Sequence, residues 1–184
     1  MSDAIPLDVF LPSGQFHFGS GNVRVLTLLG TCVSIAVWHP VRRVGGICHF
    51  LLPARRPNTV VDASMPGLYA EDVMGLFAEA LRATNTHPHE YIVRLAGGGN
   101  MFPDSLTPPA CRDGGCSDTR RTTCQSIGCK NIGVARKLLD TAGFVVASEN
   151  VGGHGSRQVI FELWSGDMWV RRGAALSAAS QVAA

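Results

Sequence analysis

Val23-Arg24-Val25-Leu26-Thr27-Leu28-Leu29-Gly30-Thr31-Cys32-Val33-Ser34-Ile35-Ala36-Val37-Trp38 is the stretch that decides the fold class. Val23 to Leu29 and Cys32 to Trp38 are short and rich in Val, Ile, Leu and Thr, side chains that suit a pleated, half-buried surface. With Gly30-Thr31 between them, they predict two buried strands around a tight bend. Downstream of Pro40, the segment Gly45-Gly46-Ile47-Cys48-His49-Phe50-Leu51-Leu52-Pro53 predicts another apolar strand, opened by glycines and stopped by proline. His49 is thereby placed on a strand.

Further out the period changes. Ala70, Val73, Met74, Phe77 and Leu81 recur at helical spacing, which predicts an amphipathic helix from Tyr69 to Asn85. Tyr91 to Ala96 predicts a strand, ended by the glycine run Gly97-Gly98-Gly99-Asn100. A second helix is expected from about Gly128 to Ala142, with Ser126 as N-cap and Gly143 closing it. Three strands follow, Phe144 to Glu149, Gln158 to Trp164 and Met168 to Arg171, the last two joined by Ser165-Gly166-Asp167, with Trp164 and Trp169 as a packed cross-strand pair. This order does not alternate strictly, so it predicts an α+β protein, a mixed-sheet sandwich core flanked by helices, rather than a doubly wound parallel sheet.

The chain has 184 residues, 46% of them hydrophobic and only 16% charged, which predicts a folded chain with one core. Residues 1–172 are read as one domain, with a cysteine-rich insertion at 103–126 and a frayed tail at 173–184. A net charge of +2 gives no reason to expect nucleic acid as a partner. The longest uncharged apolar run, Val25 to Trp38, is shorter than the roughly 18 residues of a membrane-spanning helix. The first residues have no basic start followed by an apolar stretch, so a cytoplasmic protein is the expectation. No GxGxxG or P-loop pattern is present.

Six cysteines in such a chain point to thiols, catalytic groups or metal ligands rather than to a disulfide framework. Cys32 follows a Gly-Thr bend whose backbone N–H groups can face a developing oxyanion, and His49 is close enough in sequence to lie on a neighbouring strand as its base. The residue types alone leave a plainer alternative, in which Cys32 is a small buried hydrophobe and His49 a hydrogen-bonded core histidine. Cys48 should face away from His49, because strand neighbours alternate. Cys111-x4-Cys116-x7-Cys124-x4-Cys129 has spacing at the loose end of the structural-zinc range, against the alternative of a loop of reduced thiols.

The wording of the whole segment narrows the choice. Thr27-Leu28-Leu29-Gly30-Thr31-Cys32-Val33, His39-Pro40 and Gly45 to Pro53 resemble the signature of the CheD family, the chemoreceptor glutamine deamidases. Ala96-Gly97-Gly98-Gly99-Asn100-Met101-Phe102, Ser126-Ile127-Gly128 with Asn131, and Asn150-Val151-Gly152-Gly153-His154-Gly155-Ser156-Arg157 continue the resemblance in order. It implies Cys32 as nucleophile, His49 as base, backbone at Gly30 and Thr31 as oxyanion donors, and no cofactor. A hydroxyl partner for the histidine is also implied, for which Thr27 is the nearest match and Thr31 competes. The implied substrate is a glutamine on the cytoplasmic helices of a methyl-accepting chemoreceptor. A CheC-type phosphatase is the implied protein partner, and an adaptor without catalysis, binding receptor and phosphatase, is the rival reading. The cysteine-rich insertion departs from the family pattern, which usually has a shorter connection there.

Overall fold

The computed structural model describes residues 5–60, 62–102 and 126–173. Nine strands and two α-helices are defined among them: β1 (Leu7–Phe10), β2 (Phe16–Ser20), β3 (Val23–Leu29), β4 (Val33–His39), β5 (Val44–Cys48), α1 (Ala70–Thr84), β6 (Ile92–Gly97), α2 (Ile127–Thr141), β7 (Val146–Val151), β8 (Arg157–Glu162) and β9 (Met168–Arg172). They form two mixed sheets. The first runs β1-β3-β8-β9 and the second β2-β5-β4-β6-β7, with parallel pairs β1/β3 and β6/β7.

Alternation along the strands produces three layers. Val33, Ile35 and Val37 of β4 point to one side of the second sheet, where they pack with Phe77 and Leu81 of α1 and Ile132 and Leu139 of α2. Ala36 of β4 and Ile47 of β5 point to the other side, against Val25 and Leu29 of β3 and Val159 and Phe161 of β8. Each large side chain fully buried here, such as Phe77 or Phe161, stabilises the fold by about 1.5–3 kcal/mol. The outer face of the first sheet carries Phe10, Leu28 and Trp169 in exposed positions.

Two features of the chain path matter for the site, and the second corrects the sequence expectation. The Gly30-Thr31 bend does not join paired neighbours: β3 pairs with β1 and β8, β4 with β5 and β6, so the chain crosses from one sheet to the other at the bend. An apolar, β-branched composition on both segments reads the same whether they pair or stack. His49 lies just beyond β5 rather than on it, because its backbone turns to other partners, donating to Gln15 O at 3.0 Å and accepting from Gly14 N at 2.7 Å.

Other differences are local. Strands β1 and β2 are absent from the sequence reading, β5 stops at Cys48 well short of the expected end at Pro53, and the other elements begin and end within two residues of expectation. Ser126 occupies the N-cap of α2 with extended backbone but makes no side-chain cap bond. Trp164 and Trp169 are not a cross-strand pair, since Trp164 lies in the turn after β8 and Trp169 stands opposite Ile160. Cys111, Cys116 and Cys124 and the tail from 174 lie outside the described residues.

Candidate active site

The strand register brings Cys32 and His49 to one face. Ala36 pairs with Ile47, and Val33 pairs with Phe50 in the same register, exchanging two backbone bonds of 3.1 and 3.0 Å. Ser34 therefore stands opposite His49, and Cys32, two residues further, is the diagonal neighbour of His49 on the side facing the first sheet. Cys48 points the other way, into the helix-side core.

The Gly30–Cys32 segment is tethered through three consecutive carbonyls. Gly30 O accepts from Gly99 N at 2.9 Å, Cys32 O from Gly98 N at 2.7 Å, and Thr31 O from the side-chain amide of Asn131 at 3.1 Å. The same Asn131 nitrogen donates to Leu51 O at 2.8 Å, so one residue of α2 clamps the Cys32 bend to the segment after His49. Gly97 is required by the closeness of this packing, with φ of 115° and a position where a Cβ would stand 2.2 Å from Cys32 O. Among the described residues, no backbone carbonyl accepts from the N–H of Thr31 or Cys32.

Thr27 projects from β3 across the gap between the sheets and meets the His49 ring. Its Oγ1 lies 2.8 Å from His49 Nδ1 and 2.7 Å from Leu11 O. A hydroxyl has one proton, and the Leu11 carbonyl can only accept, so the Thr27 proton goes to Leu11. At Nδ1, Thr27 is then the acceptor, and the ring carries its hydrogen on Nδ1. The lone pair is left on Nε2, where Ser13 Oγ stands at 3.3 Å. Both ring nitrogens of His49 thus have hydroxyl partners, and the two come from different sides of the ring.

Burial sets the protonation states. His49 is 3% exposed, and loss of hydration pushes its pKa down to about 4, opposed by the carbonyl of Leu11. Burial also pushes the Cys32 thiol up, opposed by its own backbone N–H and by the Thr31 hydroxyl. Both effects favour a neutral thiol beside a neutral imidazole at rest. Cys48 is pushed up to about 12 by complete burial, which makes it chemically inert in the folded chain.

Cys32 and His49 thus share one face, with Thr27 bonded to the histidine and Thr31 beside the cysteine. Ser13, Asn131 and the Leu11 carbonyl were not read as site residues. Asn131 had a signal in the motif after Ser126, whereas Ser13 had none. Ser34, fully buried opposite His49, has a hydroxyl without a hydrogen-bond partner among the described residues. Arg157, also fully buried, donates through Nε to Asn150 Oδ1 at 3.0 Å and through Nη2 to Gly152 O, which locks the Asn150 to Arg157 segment behind the Gly97–Asn100 turn. Of the zinc candidates only Cys129, half-buried on α2, is described, and no group of three or more metal-ligating side chains is found among the described residues. No helix among them is long and apolar enough to cross a membrane.

Comparison with known proteins agrees with the motif reading. A family profile described as CheD chemotactic sensory transduction matches residues 51–172. A protein of Dechloromonas aromatica named "Probable chemoreceptor glutamine deamidase CheD 3" is 39% identical over 165 residues, 89% of this chain and 86% of that one. One of Leptospira interrogans, "Probable chemoreceptor glutamine deamidase CheD 1", is 36% identical over 170 residues, 90% of this chain and 93% of its own. Among solved structures, hypothetical protein YfiH of Bacillus licheniformis aligns at 15% identity and a TM-score of 0.43, covering 76% of this chain and 51% of that one, too distant to carry an argument. With the profile spanning most of the chain and relatives above 30% identity nearly end to end, the chain belongs to the CheD family.

Proposed function

We propose that the chain is a protein-glutamine deamidase that converts glutamines of chemoreceptors to glutamate through a cysteine thioester. The observation that carries the reading is the His49 ring, fixed by Thr27 with its lone pair on Nε2, on the same face as the tethered Cys32. The names of the relatives supply the substrate class.

In this reaction His49 Nε2 takes the Cys32 proton as the sulfur attacks the carboxamide carbon, forming the S–C bond and moving the carbonyl electron pair onto oxygen. In this reading the backbone N–H groups of the Gly30–Cys32 bend, those of Gly30 and Thr31 among them, donate to that oxyanion, at little reorganisation cost because the carbonyls of the segment are already held. As the intermediate collapses, the C–N bond breaks and the His49 imidazolium gives its proton to the departing nitrogen, releasing ammonia. Water, deprotonated by the now neutral His49, attacks the thioester. The C–S bond breaks, glutamate is left on the receptor, and the thiol recovers its proton. Thr27 keeps the ring oriented throughout and accepts from Nδ1–H in both charge states.

The site lies within one domain over residues 1–172, and the substrate is the helical cytoplasmic part of a receptor, which places the protein in the cytoplasm. A CheC-type phosphatase is the regulatory partner this reading brings with it. Incubating receptor cytoplasmic fragments with wild type, Cys32→Ser and His49→Ala, followed by peptide mass spectrometry, tests it. Glutamine-to-glutamate conversion at defined positions by wild type alone is expected. Folded wild type that converts none, or a Cys32→Ser variant that converts as well as wild type, overturns it.

A further inference from the structure

The nitrogen that must take the Cys32 proton already has a partner. Ser13 Oγ lies 3.3 Å from His49 Nε2, and the hydrogen bonds of the His49 ring go to Thr27 and Ser13 rather than to Cys32. Because Nδ1 carries the ring hydrogen, Nε2 is an acceptor, and Ser13 is the donor.

The placement of Ser13 is built into the fold. It sits in the connection between β1 and β2, which is fastened on both sides. Leu11 N donates to Leu26 O at 2.8 Å, Gly14 N to His49 O at 2.7 Å, His49 N to Gln15 O at 3.0 Å, and Gly67 N to Gly14 O at 2.8 Å. Two of these four bonds are to His49 itself, so the loop and the imidazole form one unit. Ser13 is exposed while His49 is buried, so the hydroxyl that meets the reactive nitrogen belongs to a residue at the surface.

We propose that Ser13 is a positioning residue that holds the His49 lone pair in the free protein, so that the base is withheld from Cys32 until an entering substrate displaces the hydroxyl. The proposal rests on the Cys32–His49 reading of the site, not on the identity of the substrate. A base occupied in this way leaves Cys32 as a protected thiol between turnovers, sparing it from oxidation and from adventitious acylation. Substrate entry would free Nε2 at the moment when proton transfer is useful.

The test uses the whole chain and iodoacetamide as probe, with Cys32 modification followed by mass spectrometry at neutral pH. Ser13→Ala is expected to alkylate at Cys32 about two- to tenfold faster than wild type, the range that release of one net hydrogen bond spans. Ser13→Thr, which keeps the hydroxyl, should return to the wild-type rate. In parallel, the nitrogen resonance of His49 Nε2 should move toward that of an unbonded imidazole nitrogen in Ser13→Ala and stay in Ser13→Thr. A purely structural role for Ser13 would move neither readout in this pattern. Unchanged alkylation and resonance overturn the proposal. So does slower alkylation in Ser13→Ala, which would mean that the hydroxyl assists proton transfer. If the alkylation and resonance results hold while wild type converts no receptor glutamine, the role of Ser13 stands and the deamidase reading falls.

Discussion

Replacing His49 by glutamine should flatten the acid side of the stability curve. In the folded chain His49 has its pKa pushed down to about 4 by burial, against an ordinary 6.5. Between these values the unfolded chain binds a proton that the folded chain does not, so the stability His49 contributes as a neutral group is complete above about pH 6.5 and is lost as the pH falls toward about 4. At about 1.4 kcal/mol for each pH unit separating the two values, the loss is worth about 3 kcal/mol. Urea unfolding of wild type and His49→Gln across that range reads it directly. With a slope of about 1–3 kcal/mol/M, the wild-type midpoint should fall by about 1–3 M more than that of the variant. His17, whose pKa burial also lowers, titrates in both proteins and cancels in the comparison. Midpoints that fall in parallel would refute the reasoning, since the ring would then be hydrated or protonated in the folded chain.

Thr27→Val should leave the Leu11 carbonyl and His49 Nδ1–H without the partner they share, costing about 1–3 kcal/mol of stability and lowering kcat at least about tenfold, measured by chemical unfolding and ammonia release. Asn131→Ala should free Thr31 O and Leu51 O together and, in the proposed reaction, lower kcat more than it changes KM, because it loosens the Cys32 segment rather than the substrate surface. The alkylation rate of wild-type Cys32 should keep climbing with pH through neutrality, since the thiol is pushed up and His49 down; a plateau beginning on the acid side would show a resting thiolate–imidazolium pair instead. Gly97→Ala, with a left-handed backbone angle and no room beside Cys32 O, should destabilise the chain and inactivate whatever folds, as seen by circular dichroism and activity together.

The sequence carried the elements whose signal is local. Short runs rich in Val, Ile, Leu and Thr marked β3 and β4, the 3.6-residue period marked α1, and the glycines at 45 and 46 opened β5 within a residue or two. Leu7–Phe10 and Phe16–Ser20 gave too few residues to show a period and sit around Pro12 and Gly14, which read as loop. That the bend at Gly30-Thr31 changes sheets was not legible, because a buried strand has the same composition whichever sheet it joins. The site divides in the same way. Cys32 and His49 were visible as chemistry-bearing residues, and Thr27 became distinguishable from Thr31 only when Val25, Thr27 and Leu29 were seen to share the inward face of β3. Ser13 meets His49 across 36 positions of sequence, and a serine in a loop announces nothing.

The crossing at Gly30-Thr31 also fixes when the site exists. Cys32 and His49 belong to the second sheet and Thr27 to the first, which is closed by β8 and β9 at the far end of the chain. During synthesis Cys32 and His49 emerge early, while β8 and β9, which complete the sheet that carries Thr27, emerge more than a hundred residues later. A growing or truncated chain therefore holds Cys32 and His49 without the completed first sheet behind Thr27, and turnover in the proposed reaction becomes a report that both sheets have closed.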